Sequence, residues 1–272
     1  MTLSSDLFSF KVRNTEDFTV NQKLSNRLSD TLNKVKGKVD QEFTQSGILD
    51  VQEYINFRVD RKAKKIPNLN LFAEDIEKRG LTVYFVVDSS LSMTYARDNL
   101  RNITATIFKA LEKCPFIDFK VIAYSGSNRL GHHVKLQEIN KLEDVKYIVP
   151  DDIDRLTPTD LVLNYVHDKI RKSEDKKLVI LFTDGLPESC NYGYEDLQHE
   201  VKKQIVKMTN DKINFFTMFY QNWEYCGSQT SDITEKMRSI FKNRMYESKD
   251  FETIEKILQK NLIQAIERLN QN

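Results

Sequence analysis

An apolar run from Leu81 to Val87 stops abruptly at Asp88, Ser90 and Ser92, spaced Asp-x-Ser-x-Ser. Apolar residues then recur at Ala96, Leu100, Ile103, Ile107 and Leu111. The run predicts a strand buried on both faces, and the recurrence at three- and four-residue intervals predicts an amphipathic helix. A buried strand feeding a helix through a short polar loop belongs to a parallel sheet wrapped by helices. Its loop then falls at the carboxyl end of the strand, where open α/β sheets bind ligands. A second such strand, Leu178-Val179-Ile180-Leu181-Phe182, ends in Thr183-Asp184-Gly185. Between the two strands lies Leu156-Thr157-Pro158-Thr159-Asp160, just ahead of a helical stretch.

Taken alone, Asp88, Ser90 and Ser92 read as a turn or a helix cap, because Asp and Ser side chains satisfy free helix N–H groups. Three loops in this order, all at strand ends or helix starts, read instead as an oxygen-lined cation site. Mg²⁺ takes six oxygens in near-octahedral array and usually keeps several waters. Hydroxyls can coordinate it directly while carboxylates hold waters around it, which leaves an electron-poor ion with an open position. Mn²⁺ accepts the same oxygen set.

These loops resemble the metal-ion-dependent adhesion site of von Willebrand factor A (VWA) domains. The resemblance implies that Asp88, Ser90 and Ser92 form the first loop, Thr157 the second and Asp184 the third, around one Mg²⁺ or Mn²⁺. Thr157-Pro158 matches the family's Thr-Pro pattern better than Thr159, which is the alternative ligand or the cap of the next helix. The family's usual mode of action implies a protein partner whose acidic side chain fills the open position, without catalysis. The fold implied is α/β, a doubly wound, mostly parallel six-stranded sheet with helices on both faces, preceded by a small α-helical region.

Within the family, the chain is similar to the bacterial proteins typified by the cobaltochelatase CobT subunit and the nitric oxide reductase activation protein NorD. The likeness spans about residues 47–268. It rests on Leu91 inside the Asp-Ser-Ser-Leu-Ser run, on Asp184-Gly185-Leu186-Pro187 followed by Asn191-Tyr192-Gly193-Tyr194 and Glu195-Asp196, and on Gly47-Ile48-Leu49-Asp50 with Leu71-Phe72. That branch implies an AAA+ ATPase partner of the MoxR or chelatase type. The chain lacks the long acidic, His-rich region of CobT, its histidines being His132, His133, His167 and His199, which argues against a chelatase role and for a minimal adaptor of bacterial or phage origin.

The bulk of the sequence narrows the alternatives. At 272 residues the chain can bury one sizeable core and a small extra module. A net charge of +1 gives no global field for nucleic acid. No apolar run is long enough to span a bilayer, and the start, Met1-Thr2-Leu3-Ser4-Ser5-Asp6, lacks the basic and apolar regions of a signal peptide. Cys114, Cys190 and Cys226 are odd in number and widely spaced, as in a reducing, cytoplasmic protein. No Gly-x-x-x-x-Gly-Lys or Gly-x-Gly-x-x-Gly occurs, so nucleotide hydrolysis is not expected. A phosphotransferase built on Asp88 would want a second carboxylate where Ser90 stands, so the chain is not expected to be an enzyme. A structural or assembly protein using the fold as scaffold is the rival reading.

The chain divides into a helical N-terminal region, 1–70, and a VWA domain, 71–272. Residues 1–18 read as loosely ordered. Val20, Leu24, Leu28, Leu32 and Val35 mark a helix ending near Gly37, Val39 and Phe43 a shorter one, and Val51, Ile55 and Val59 a third that closes in the basic run Arg58 to Lys65. That run suits a solvated helix end or a dock for an acidic partner. Further strands are expected at 69–72, 116–124, 132–137, 213–220 and near Met245-Tyr246, with helices at about 94–113, 160–172, 195–208, 231–241 and 251–269. His132 and His133, adjacent on a strand, point to opposite faces and so do not form a metal pair. Cys190, six residues after Asp184, reads as an ordinary loop thiol, with the rim of the site as the alternative. Glu188 either lends charge to the site or caps a turn. Tyr220, Trp223 and Tyr225 form either an aromatic lip for partners or packing against the last helix.

Overall fold

The computed structural model describes residues 18–44, 80–127, 133–150, 154–188, 193–221 and 230–267, together with Ile55, Arg58, Val59 and Lys62. Its strands are β1 (Leu81–Asp88), β2 (Ile117–Ser127), β3 (His133–Ile139), β4 (Lys176–Thr183), β5 (Ile213–Tyr220) and β6 (Met245–Ser248). They form one sheet in the order β3-β2-β1-β4-β5-β6. Every pairing is parallel except β2 with β3, which turns the β3 edge antiparallel. The helices are α1 (Gln22–Thr44), α2 (Arg97–Leu111), α3 (Thr159–Ile170), α4 (Tyr194–Asn210), α5 (Thr230–Phe241) and α6 (Phe251–Glu267). This is the doubly wound α/β architecture expected from the sequence.

The mostly apolar character of β1 follows from its place. Leu81, Val83, Phe85 and Val87 face one layer with residues of α1, α2 and α6, while Tyr84 and Val86 face the other with residues of α3, α4 and α5. Alternate side chains enter opposite cores, so neither face can be polar. On the first face Phe85 meets Phe182 edge-on at 6.4 Å, and Phe182 stacks on Phe251 of α6 at 6.2 Å.

Two boundaries differ from expectation for local reasons. The helix expected from residue 94 begins as a 3₁₀ turn, Leu91–Ala96, whose Met93 and Ala96 are buried. Residues three apart eclipse in a 3₁₀ helix, so this turn seats both on the core side. The helix expected to end near Gly37 continues to Thr44, joining the two short helices read from the sequence. A helical glycine costs only about 1 kcal/mol relative to alanine, and no proline follows to stop it. Of the third N-terminal helix only isolated positions are described, and there Ile55 and Val59 are exposed. The strand expected at 69–72 lies outside the described residues.

Helix α1 is docked on the sheet domain. Leu28 and Leu32 are buried in the same core as β1. Around them the Thr19 amide donates to Asn102 Oδ1 (2.7 Å), the Asn21 amide to Thr106 Oγ1 (3.1 Å), and Asn33 Nδ2 to the Lys113 carbonyl (3.1 Å). Cys114 is a free, fully buried thiol beneath α1, its pKa pushed up by burial. Among the described residues no helix is long and apolar enough to cross a membrane.

Because Leu32 is fully buried at this junction, Leu32→Ala is expected to lower global stability by about 2–5 kcal/mol. Urea denaturation should show one transition shifted to lower denaturant. An unshifted main transition would mean that α1 contributes nothing to the core.

Candidate metal centre

Strand order reverses at β1, which has β2 on one side and β4 on the other. The loops after β1 and β4 therefore leave in different directions and open a crevice at the carboxyl edge. Asp88 closes β1 and Thr183 closes β4. The Ser89 amide still donates to the Tyr124 carbonyl (2.7 Å), so the sheet ladder reaches one residue past Asp88 before the chain turns away.

A continuous polar chain spans the crevice. Asp88 accepts the Ser90 amide on Oδ1 (2.9 Å) and the Thr183 hydroxyl on Oδ2 (2.7 Å). The Ser90 and Ser92 hydroxyls lie 3.1 Å apart, and Ser92 Oγ donates to Asp184 Oδ1 at 2.7 Å. Asp88, Ser90 and Asp184 are almost fully buried. The structure thus brings together four of the residues singled out from sequence: Asp88, Ser90, Ser92 and Asp184.

The middle loop is held alongside by Gly126 of β2. Gly126 and Leu156 exchange backbone hydrogen bonds of 2.7 and 2.9 Å. A Cβ at Gly126 would lie only 3.0 Å from Leu156 Cβ and Pro158 Cδ, so any side chain there would press the middle loop away from β2. The Thr157 carbonyl accepts the amides of Thr159 (2.8 Å) and Glu188 (2.9 Å), which ties the middle loop to the Asp184 loop. The two threonines differ. The Thr159 hydroxyl lies 3.2 Å from Tyr124 Oη and donates to the Thr157 carbonyl at 3.3 Å. The Thr157 hydroxyl makes no hydrogen bond among the described residues, although Thr157 is buried. Asp160 is also buried, and its Oδ1 has no hydrogen-bond partner among the described residues.

Burial and the charge of Asp184 push the Asp88 carboxyl up to about 7, against the pull of the Thr183 and Ser90 hydrogen bonds. Burial, and then the field of Asp88, raise the Tyr124 phenol well above its ordinary range. Two buried carboxylates that repel one another, interleaved with hydroxyls, are what a hard divalent cation would neutralise. Oxygen donors without nitrogen or sulfur suit Mg²⁺ or Mn²⁺. Among the described residues no group of three or more His, Cys, Asp or Glu side chains gathers anywhere, this crevice included, so a cation here would rely on hydroxyls beside its two carboxylates.

Thr183, Ser89 and Tyr124 also belong to this neighbourhood, and the sequence reading passed over them. Thr183 had a signal, a hydroxyl on the last residue of a strand beside Asp88; Tyr124 read as an ordinary strand residue. Glu188 meets the site through its backbone amide. Tyr220 packs on Phe251 with ring centroids 4.7 Å apart, which supports packing over the lip. His132, Cys190, Trp223 and Tyr225 lie outside the described residues.

The family model of the von Willebrand factor type A domain matches residues 82–260. No curated protein matches the sequence. Among solved structures, a point mutant of the PilB minor pilin from Streptococcus sanguinis is similar at 13% identity and a TM-score of 0.52, over 74% of this chain and 66% of that one. The manganese-loaded TRAP protein of Plasmodium vivax is 13% identical, with a TM-score of 0.47, over 68% of this chain and 74% of that one. A mussel byssus protein, proximal thread matrix protein 1 with a zinc-occupied MIDAS motif, is 15% identical, with a TM-score of 0.45, over 69% of this chain and 46% of its own. The matched region is thus just under two thirds of the pilin and under half of the thread protein. At these identities the likeness is one of fold.

The raised Asp88 pKa has a signed consequence for the metal-free protein. Between pH 4 and about 7 the folded state holds a proton on Asp88 that the unfolded chain has released, so stability falls as pH rises through that window. Asp88→Asn removes this loss. In urea titrations without metal, the variant is expected to exceed wild type by a few kcal/mol at pH 8, with the gap closing toward pH 4. A gap independent of pH would mean that Asp88 is not held protonated.

Proposed function

Because this chain belongs to the von Willebrand factor type A domain family, we propose that it is a divalent-cation-dependent protein-binding module, working as an adaptor. The observation that carries the reading is the hydrogen-bonded run from Thr183 through Asp88, Ser90 and Ser92 to Asp184 at the point where strand order reverses.

In this reading Ser90, Ser92 and Thr157 hold Mg²⁺ or Mn²⁺ through their hydroxyls, while Asp88 and Asp184 supply the compensating charge. When bound, the cation offers a Lewis-acidic position to an acidic side chain of a partner protein. The chain's own residues do the rest. Thr183 and the Ser90 amide fix the orientation of Asp88. The bond between the Thr157 carbonyl and the Glu188 amide keeps the second and third loops in register. Gly126 lets the second loop approach the sheet. Asp88 and the serines are engaged with one another rather than aimed at a substrate, which favours binding over catalysis.

The partner is proposed to be an AAA+ ATPase of the MoxR or chelatase type, or that ATPase's target, on the strength of the sequence likeness to CobT and NorD. The three scattered cysteines favour a cytoplasmic setting. The VWA domain is proposed to begin near residue 71, with α1 packed against it as an accessory helix.

Titration calorimetry with Mn²⁺ and Mg²⁺ tests the site. Asp184→Ala and Thr157→Ala are each expected to weaken affinity by about tenfold or more with an unchanged circular dichroism spectrum, and Thr159→Ala to leave it near wild type. Loss in Thr159→Ala alone would move the ligand to Thr159, which lies near the carboxylates through Tyr124. A pull-down with Mg²⁺, with EDTA, and with Asp184→Ala tests the partner. Recovery only with Mg²⁺ and intact Asp184 is expected. The same partners in all three conditions would put the scaffold reading in its place.

A further inference from the structure

Behind the first loop, a buried arginine grips a strained turn. Arg101 of α2 is 4% exposed. Its Nε donates to the Ile148 carbonyl (3.0 Å), and its Nη2 to the carbonyls of Lys146 (2.8 Å) and Val149 (3.3 Å). Val149 is fully buried and has φ = 47°. A β-branched residue seldom adopts the left-handed region, and Pro150 after it disfavours the helical region further. In this conformation the Val149 amide donates to Ser89 Oγ at 3.2 Å. Ser89 is the residue between Asp88 and Ser90, fully buried, and its own amide is fixed to β2.

We infer that Arg101 is a positioning residue for the first loop: it holds Val149 in its left-handed conformation so that the Val149 amide pins Ser89, and with it Asp88 and Ser90, in the geometry that receives the cation. The inference rests on the metal reading above and adds a device to it. Strain at functional sites persists only where the surroundings over-determine it, and three carbonyl contacts from one rigid guanidinium do so here. The guanidinium bears on the loop through Val149 and Ser89, so its effect on the cation is indirect.

The chain of action makes a rescue experiment possible. Arg101→Met keeps an apolar stem of similar length while releasing the carbonyls. Its Mn²⁺ affinity is expected to fall about ten- to hundredfold, the range for groups that orient metal ligands. In the metal-free protein, hydrogen-exchange protection of the Val149 amide is expected to fall about tenfold in parallel. Adding Val149→Gly, which adopts positive φ without a Cβ clash, should restore both readouts to near wild type. Ser89→Ala should weaken Mn²⁺ binding alike and resist rescue by Val149→Gly, because the acceptor itself is gone.

A folded Arg101→Met with wild-type affinity, or a double variant that stays weak, overturns the inference. So does wild-type affinity in Ser89→Ala, which decides the matter if Arg101→Met does not fold. Absence of Mn²⁺ binding by the wild-type protein would overturn the metal reading instead. The exchange arm would then still report whether Arg101 holds Val149.

Discussion

Everything in this structure depends on β1 being buried on both faces between β2 and β4. Such a strand has no room for a charge along its length, so its first carboxylate appears only where the strand leaves the sheet. Asp88 occupies that position and remains fully buried, because the β2 ladder continues to Ser89 and the neighbouring loops close over it. The end of β4 repeats the pattern one strand away with Thr183 and Asp184. Two acidic strand ends are thus delivered side by side by topology, with no long loop needed to bring them together.

Two carboxylates in that setting are unfavourable unless something divides their charge. The protein's own answer is partial: the Thr183 hydroxyl, the Ser90 amide and the Ser92 hydroxyl each give one hydrogen bond to the pair. The Thr183 and Ser90 bonds lower the Asp88 pKa, but burial and the charge of Asp184 outweigh them and push it up to about 7. On the proposed reading, a cation completes the compensation that the site's own donors leave unfinished. The same hydroxyls that now bridge the carboxylates have lone pairs to offer it.

The sheet and the carboxylate–hydroxyl run were legible in the sequence because both follow from periodicity and local order. Leu81 to Val87 announces a buried strand, and Asp88, Ser90 and Ser92 mark its end. Strand edges differ by two residues at Lys176 and by three at Ser127, because pairing partners rather than propensity decide where a strand stops. Illegible were contacts between residues distant in the chain. Nothing near Arg101 in the sequence distinguishes it from a solvent-facing helical arginine; only burial and the carbonyls of residues 146, 148 and 149 do. Val149 carries no left-handed signature, since glycine or asparagine would be expected there. Gly126 showed only as a glycine near a strand end, its role resting on Leu156 and Pro158.

Helix α2 joins these features mechanically. It begins directly after the 3₁₀ turn that carries Ser92, so any tilt of its axis moves the first loop. Arg101 ties it to the turn behind Ser89, and on another face Asn102 and Thr106 accept hydrogen bonds from the chain leading into α1. The N-terminal helix therefore bears on the same rigid element that positions Ser90 and Ser92. Packed interiors transmit strain rather than absorb it, so the seating of α1 on α2 bears on the first loop, and the Ser92–Asp184 and Leu91–Asp154 hydrogen bonds carry it on to the other two.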